Sequence, residues 1–350
     1  MPVLMGRSEG FHASDPKSTD GHGNGRSGGW DAALPFQLDA LGVRGRLVRL
    51  SASLDAVIER HGYPLAVARP LAEAMVLCAT LATSLKYDGI FTLQISGDGP
   101  IRLLVTDLTS DGALRGYAQF DSWKLAVALG AGSDGTLISG EAPEGYVPKL
   151  FGRGRLAFTV DQGQHTERYQ GVVPLEGATL ADCAHTYFRQ SEQLPTGIKI
   201  AARRESGGDG PEGAGKGHWR AAALMVQQMP EFDAGRVDID QEQREDDWRK
   251  AVILMASATE AEMLDPNLAG ERLLHRLFHD ERPRRFADRP FAARCRCSRE
   301  RIDRVLRAIR REELDDLRDQ SGRVAVKCEF CSTEYAYDDG DLDRLYASAA

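Results

Sequence analysis

The sequence predicts an α+β protein: an N-terminal domain on a large antiparallel sheet with packed helices, a helical linker, and a small cysteine-bearing C-terminal domain. Three observations carry that expectation. Short segments alternating apolar and polar residues, punctuated by Gly-, Asp- and Pro-bearing turns, fill most of residues 36–230. After Pro230 the chain becomes highly charged and helix-favouring. Four of its six cysteines then cluster between residues 295 and 331.

From the N-terminus, residues 1–35 are rich in Gly, Ser, Asp and His and poor in core formers, the composition of a disordered tail. They lack the charged-then-apolar layout of a secretory signal. "FQLDALGVRGRLVRL" starts the folded domain in extended form. "SASLDAVIERHG" supplies a serine start, a helical period and a terminal glycine. "VARPLAEAMVLCATLATSLK" (67–86) is a longer helix, apolar over most of its surface, so it belongs inside, with Cys78 as a small buried residue. "GIFTLQIS", "IRLLVTDLT" and "ALRGYAQF" form an antiparallel meander. The "GDGPIR" between two of these strands lacks the lysine and strand–loop–helix setting of a phosphate loop and is a hairpin turn. Residues 154–175 read as another hairpin. "TLADCAHTYFRQSEQ" is a helix with Cys183 packed inward; Glu192 near its end has no partner motif and is a structural hydrogen-bonding residue rather than a catalytic acid. "TGIKIAARRE" and "HWRAAALMVQQMP" pair around the Gly-rich insert 206–217.

Residues 36–230 thus form one domain and 231–286 a helical linker, with the cysteine domain at 287–350. The linker's apolar positions, among them Trp248, Val252, Met255, Leu273, Leu277 and Phe278, are too sparse for a core of their own. They must lean on a neighbour, so the order of this segment is conditional. His275 and His279, four apart on a helix, lack the glutamate of a metalloprotease motif and read as linker-helix contacts.

A formal net charge of −8 disfavours a protein that coats nucleic acid or anionic membrane along its length. No apolar run is expected to reach the roughly 18–20 residues that span a bilayer. A cytoplasmic, reducing setting follows, where a cysteine cluster binds metal or does redox chemistry rather than forming a structural disulfide framework.

The cysteines stand as C-x-C (Cys295, Cys297) and C-x-x-C (Cys328, Cys331). Together they can present four thiolates to one metal, and zinc suits tetrahedral sulfur with no position left open for substrate or water. One zinc ion held by Cys295, Cys297, Cys328 and Cys331 is the expectation. A segment of roughly 60 residues buries little apolar surface, so the metal would supply most of its folding energy. Arg294, Arg296, Arg299, Arg301 and Lys327 place positive charge around the pairs, which offsets a zinc–tetrathiolate centre and favours reactive thiolates. With the metal gone, each motif holds a pair of near neighbours for a disulfide, the C-x-C bridge being small, strained and readily reduced. A redox-labile module hung on a larger domain by a marginal linker is the outline of a switch.

The sequence also resembles the redox-regulated thirty-three-kilodalton heat-shock chaperonin family. "RLVRL", "LKYDGIFTLQISGDGPIRLLVTD", "LRGYAQF", "RYQGVVPLEG", "YFRQSEQLPT", "LLHRLFHDE" and "CRCSRERI…VKCEFCSTEYAY" are similar to that family's characteristic stretches, in its order, from about residue 37 to 337. The resemblance implies an ATP-independent holdase of the bacterial cytoplasm, monomeric and inactive when reduced and zinc-bound. Oxidation under unfolding stress would release zinc and unfold the linker, and the dimer so formed would capture unfolding client proteins. It further implies that Cys295, Cys297, Cys328 and Cys331 are zinc ligands and switch thiols, pairing within each motif on oxidation. The long N-terminal tail and the Gly-rich insert depart from the family pattern. The linker over 240–280 is expected to mask a face of the N-terminal sheet until oxidation.

Two other classes compete. Residues 281–311 carry twelve arginines against four acids, the mark of a nucleic-acid-binding zinc module, yet "EELDDLRD" follows directly. "CEFC" could serve a thiol oxidoreductase, but it reads as strand and turn rather than as a helix N-terminus in a βαβ unit. Neither nucleic-acid binding nor enzymatic activity is the expectation.

Overall fold

Strand β1 (Ala32–Leu38) and β2 (Val43–Leu50) form a hairpin in which Leu34, Phe36 and Leu38 fill one buried face. This computed structural model describes residues 30–130, 142–163, 168–189, 194–205, 217–230 and 240–347. β1 begins inside the stretch expected to be tail, because the small residues Ala32 and Ala33, weak strand formers alone, are buried between neighbouring elements. The N-terminal tail up to residue 29, Glu192 and nearly all of the Gly-rich insert lie outside the described residues.

Helix α1 (Ala52–His61) ends at Gly62, whose φ of 60° is the left-handed geometry glycine adopts without strain. Helix α2 (Leu65–Ser84) follows, then the meander β3 (Ile90–Gly97), β4 (Ile101–Thr109) and β5 (Ala113–Phe120). Two short helices, α3 (Ser122–Ala128) and α4 (Tyr146–Phe151), precede the hairpin β6 (Gly154–Asp161) and β7 (Tyr169–Pro174). Helix α5 (Leu180–Tyr187) opens with a Thr179–Asp182 capping box and packs Cys183 inward; β8 (Thr196–Glu205) and β9 (His218–Gln228) then pair antiparallel.

These strands divide between two sheets rather than joining one large sheet. Among the described residues β2, β9 and β8 continue from β1 in the first sheet, and β5, β4, β3, β6 and β7 run in that order in the second. The reason lies in α2, which is apolar all round and contacts both sheets. A helix without a polar face needs cover on every side, and two sheets supply it. By length and composition α2 is also apolar enough to cross a membrane, contrary to the expectation that no run would be, but 89% of that window is buried inside the protein as a core helix. Cys78 is fully buried on it, and desolvation pushes its thiol up to about 12. Glu73, also on α2, accepts a hydrogen bond from the Tyr146 hydroxyl at 2.5 Å and pairs with Arg69.

The linker packs on the outer face of the first sheet. Helices α6 (Gln241–Ala256), α7 (Glu260–Leu264) and α8 (Gly270–Phe278) bring Ala251, Met255, Met263, Leu264, Leu273, Leu274, Leu277 and Phe278 onto Leu34, Phe36, Leu47, Leu224 and Val226. Phe278 stacks obliquely on Phe36, ring centroids 5.4 Å apart, and Phe36 lies over Gly45, where any side chain would collide with the ring. The α8 N-terminus comes close enough that a Cβ on Gly270 would stand 2.7 Å from Leu34. Beneath the linker, the fully buried Arg49 donates to the carbonyls of Leu268 (2.5 Å) and Glu262 (3.1 Å), while its Nε has no partner among the described residues. Desolvation lowers its pKa to about 10, so this grip on the linker is held against a cost of burying charge.

Past α8 the chain adds three two-residue strands. β10 (Arg284–Arg285) and β11 (Arg289–Pro290) pair with β1, and β12 (Ala292–Ala293) runs parallel to β5. The C-terminal module comprises α9 (Arg299–Arg307), α10 (Arg311–Asp315), the hairpin β13 (Val324–Lys327) and β14 (Glu334–Tyr337), and α11 (Asp339–Ala347). α9 and α10 are separate helices, the chain breaking between them near residues 308–310. The module's buried apolar cluster is Leu306, Leu314, Val324, Tyr337, Leu342 and Leu345, a small core for a folded unit.

Candidate metal centre

Two turns build the centre. Cys295 and Cys297 follow β12, just before Ser298 caps α9 by accepting from the Arg301 N–H. Cys328 and Cys331 lie in the tight connection between β13 and β14, where Cys328 N–H donates to Thr333 O, Ser332 N–H donates to Cys328 O, and Ser332 takes a left-handed φ of 56°. The turn faces both cysteine side chains to the first pair. All four sulfurs lie within 4.8 Å of one another, with Cys295–Cys328 at 3.7 Å and Cys297–Cys331 at 3.3 Å. A tetrahedron with Zn–S bonds of ~2.3 Å has sulfur–sulfur edges of about 3.8 Å, so this donor set fits such an ion in number, chemistry and spacing. Four cysteines are therefore positioned to hold a metal ion.

Neighbouring groups touch the sulfurs. The Tyr335 hydroxyl donates to Cys297 Sγ at 3.2 Å, and the Thr333 hydroxyl lies 3.2 Å from Cys331 Sγ. Desolvation pushes the Cys297 thiol up to about 12. At Cys331 burial acts the same way but is outweighed by hydrogen bonds from the Thr333 hydroxyl and backbone and from the neighbouring thiols, which hold it down to about 6.

The arginines expected to bathe the sulfurs point elsewhere. Arg296, between the first two cysteines, pairs at 2.9 Å with Asp107 of β4, a carboxylate whose side chain is only 3% exposed and which Arg115 of β5 also grips at 2.9 Å. Arg294 pairs with Asp111, and Arg299 with Asp341 while lying over the Tyr337 ring. Arg301 and Lys327 are exposed. The second motif also reaches the core: Arg115 stacks on the Phe330 ring at 3.8 Å. Sequence reasoning missed Asp107, Arg115 and Phe330, because their partnership is non-local and no spacing announces it; a buried-strand aspartate in "LLVTD" was the one available hint.

Other candidates stay apart from the centre. His275 and His279 stack on the exposed side of α8, ring centroids 5.8 Å apart, and His279 meets Asp280. Cys183, like Cys78, is enclosed in the core.

The fold and site define a class: a two-sheet α+β protein carrying a small four-cysteine module, with a helical linker laid over the first sheet. The family model described as Hsp33 protein matches residues 31–338. A curated relative from Caulobacter vibrioides (strain NA1000 / CB15N), named 33 kDa chaperonin, is 39% identical over 308 residues, covering 88% of this chain and 95% of its own. Another of that name from Ectopseudomonas mendocina is 35% identical, over 91% of this chain and 96% of its own. The crystal structure of a 33 kDa chaperonin (heat shock protein 33 homolog) from Thermotoga maritima shares the fold, with a TM-score of 0.69 at 22% identity, over 91% of this chain and 99% of that one. The chain belongs to the Hsp33 family.

Proposed function

We propose that this chain is an ATP-independent holdase chaperone of the cytoplasm, silent while its four thiolates hold zinc and active once they are oxidised. The observation that carries the reading is the gathering of all four sulfurs into one cluster inside a module with few buried apolar residues. Cys295, Cys297, Cys328 and Cys331 would hold the ion, and bound zinc would supply the folding energy that this small core lacks.

The remaining steps belong to the chain's own residues. Oxidation of Cys295 with Cys297 and of Cys328 with Cys331 passes two electrons per disulfide from the thiolates to one peroxide, which takes two protons from solvent and leaves as two waters. The two turns then lose the geometry that presents Arg296 to Asp107 and Phe330 to Arg115. The segment through β10–β12 loses its anchor at one end, and the linker helices, docked through a limited apolar face and the desolvated Arg49, come away from the first sheet. That exposes Leu34, Phe36, Leu47, Leu224 and Val226 with the linker's own apolar residues. An apolar surface of this kind suits unfolding clients and pairing with a second copy.

The competing classes find less support. In the basic stretch Arg284, Arg285, Arg294, Arg296 and Arg299 face carboxylates of the chain, which leaves fewer of them for phosphate. The C-x-x-C lies in a strand–turn–strand setting rather than at a helix N-terminus, where a thiol oxidoreductase would hold it.

The test is aggregation of a heat-unfolding client, followed by light scattering with reduced zinc-loaded protein and with peroxide-oxidised protein, alongside dye detection of released zinc. Suppression by the oxidised form alone, with zinc appearing in step, is expected. Equal suppression by both forms would sink the switch.

A further inference from the structure

The tip of the second cysteine turn is seated on the core in a specific way. Phe330, between Cys328 and Cys331, enters a shallow aromatic saucer formed by the end of α1 and by β5. Its wall is built from stacked rings: His61 on Tyr63 at 4.9 Å, His61 edge-on to Tyr117 at 6.1 Å, and Tyr63 against Phe120 at 6.3 Å. Two groups of the tip are read. The Phe330 ring lies under the Arg115 guanidinium at 3.8 Å and 6.1 Å from the Tyr117 ring. The Phe330 carbonyl is 3.2 Å from His61 Nε2.

Much of this wall is held by the core itself. Tyr63 and Phe120 pack against the main core, Tyr63 accepts the Ala118 N–H, Arg115 is fixed by Asp107, and His61 stacks on Tyr63. When the cysteine turn loses its shape, that part of the saucer would stay formed and empty.

We propose that this saucer is a client-binding site for which Phe330 is the internal stand-in. It takes one aromatic residue from an extended segment of an unfolding polypeptide. The proposal rests on the reading of the chain as an oxidation-activated holdase. The chemistry suits that role: a ring against a guanidinium and a tyrosine, with one main-chain carbonyl, forms a mild, sequence-tolerant code. Unfolding chains display aromatic residues that folded ones bury.

The experiment uses the oxidised full-length chain and fluorescein-labelled, Gly/Ser-flanked peptides bearing Glu-Phe or Glu-Ala, with binding read by anisotropy. Glu-Phe should bind about tenfold more tightly than Glu-Ala. His61→Ala, which removes the group facing the bound main-chain carbonyl, should weaken Glu-Phe binding. In the reduced state wild type should bind none, whereas Phe330→Ala, with all four cysteines intact and zinc content unchanged, should bind Glu-Phe. Equal affinity for Glu-Phe and Glu-Ala, in oxidised protein that suppresses client aggregation, would overturn the saucer and leave the holdase reading standing. Failure of the oxidised protein to suppress aggregation would remove the holdase reading, and the saucer's role with it.

Discussion

Replacing Gly270 by leucine should hold the linker off the first sheet without touching a cysteine. A Cβ at this position would stand 2.7 Å from Leu34 Cδ2 and 3.2 Å from Leu47 Cδ2, inside the ~3.5–4.0 Å of a comfortable carbon contact. Leu34 is 2% exposed and Leu47 fully buried, so neither has open space to retreat into. Overpacking of this kind costs ~1–3 kcal/mol, and the helix propensity gained over glycine is below ~1 kcal/mol, less still at a first helical position. The net effect, about 1–2 kcal/mol against docking, raises the open population of the linker roughly 5–30-fold. Hydrogen exchange on the reduced, zinc-loaded variant reads this directly: amides across α6–α8 should exchange faster by that factor, while β3 and β4 keep wild-type protection. Partial client holding without oxidant should accompany it. Unchanged exchange would mean that α8 re-seats around the new side chain. Faster exchange with no client holding would refute the claim that linker docking keeps the protein silent.

Two further outcomes follow from buried charges. Asp107→Asn leaves Arg115 and Arg296, each with a mostly buried side chain, without their shared carboxylate, a loss of about 3 kcal/mol at the module contact. Limited proteolysis should then cut residues 281–294 faster in the reduced protein at undiminished zinc content; wild-type cleavage rates would contradict it. At Glu73 burial raises the pKa above 4.5 despite the pull of Tyr146 and Arg69. The associated stability is fully present below pH 4.5 and is lost as pH rises through the folded-state value. Glu73→Gln, whose amide oxygen still accepts from Tyr146, should flatten this dependence, so the two melting-temperature curves should diverge as pH rises; parallel curves would count against the assignment.

Most of the fold was legible because the signals were local. Alternation marked β3 to β9, Gly62 closed α1 as a left-handed residue, and the all-apolar surface of α2 announced a core helix. The same surface could have announced two covering sheets, but which strands lie on which side is a matter of long-range pairing that periodicity does not encode. β10 to β12 were invisible for another reason: two-residue strands rich in Arg, Pro and Ala have neither period nor propensity, and exist because β1 and β5 offer free edges. At the centre, spacing alone brought the four cysteines together. The arginines between them were misjudged, since their count says nothing of direction, and Arg296 turns away from the sulfurs to a carboxylate almost two hundred residues earlier.

Those short edge strands have a consequence for the protein's own fate. Residues 284–293 seal the outer borders of β1 and β5. Under the proposed switch, peeling them off would leave two rows of unsatisfied N–H and C=O groups, so the opened molecule would itself be prone to strand addition by whatever chain it meets. Activity and self-association hazard would then be uncovered by one motion, and a bound client or second copy would cap the protein as much as be cargo. Tethering would favour resealing: the displaced strands would remain attached at high effective concentration and outcompete strangers once the thiols were restored. The tether would make that recovery a unimolecular event.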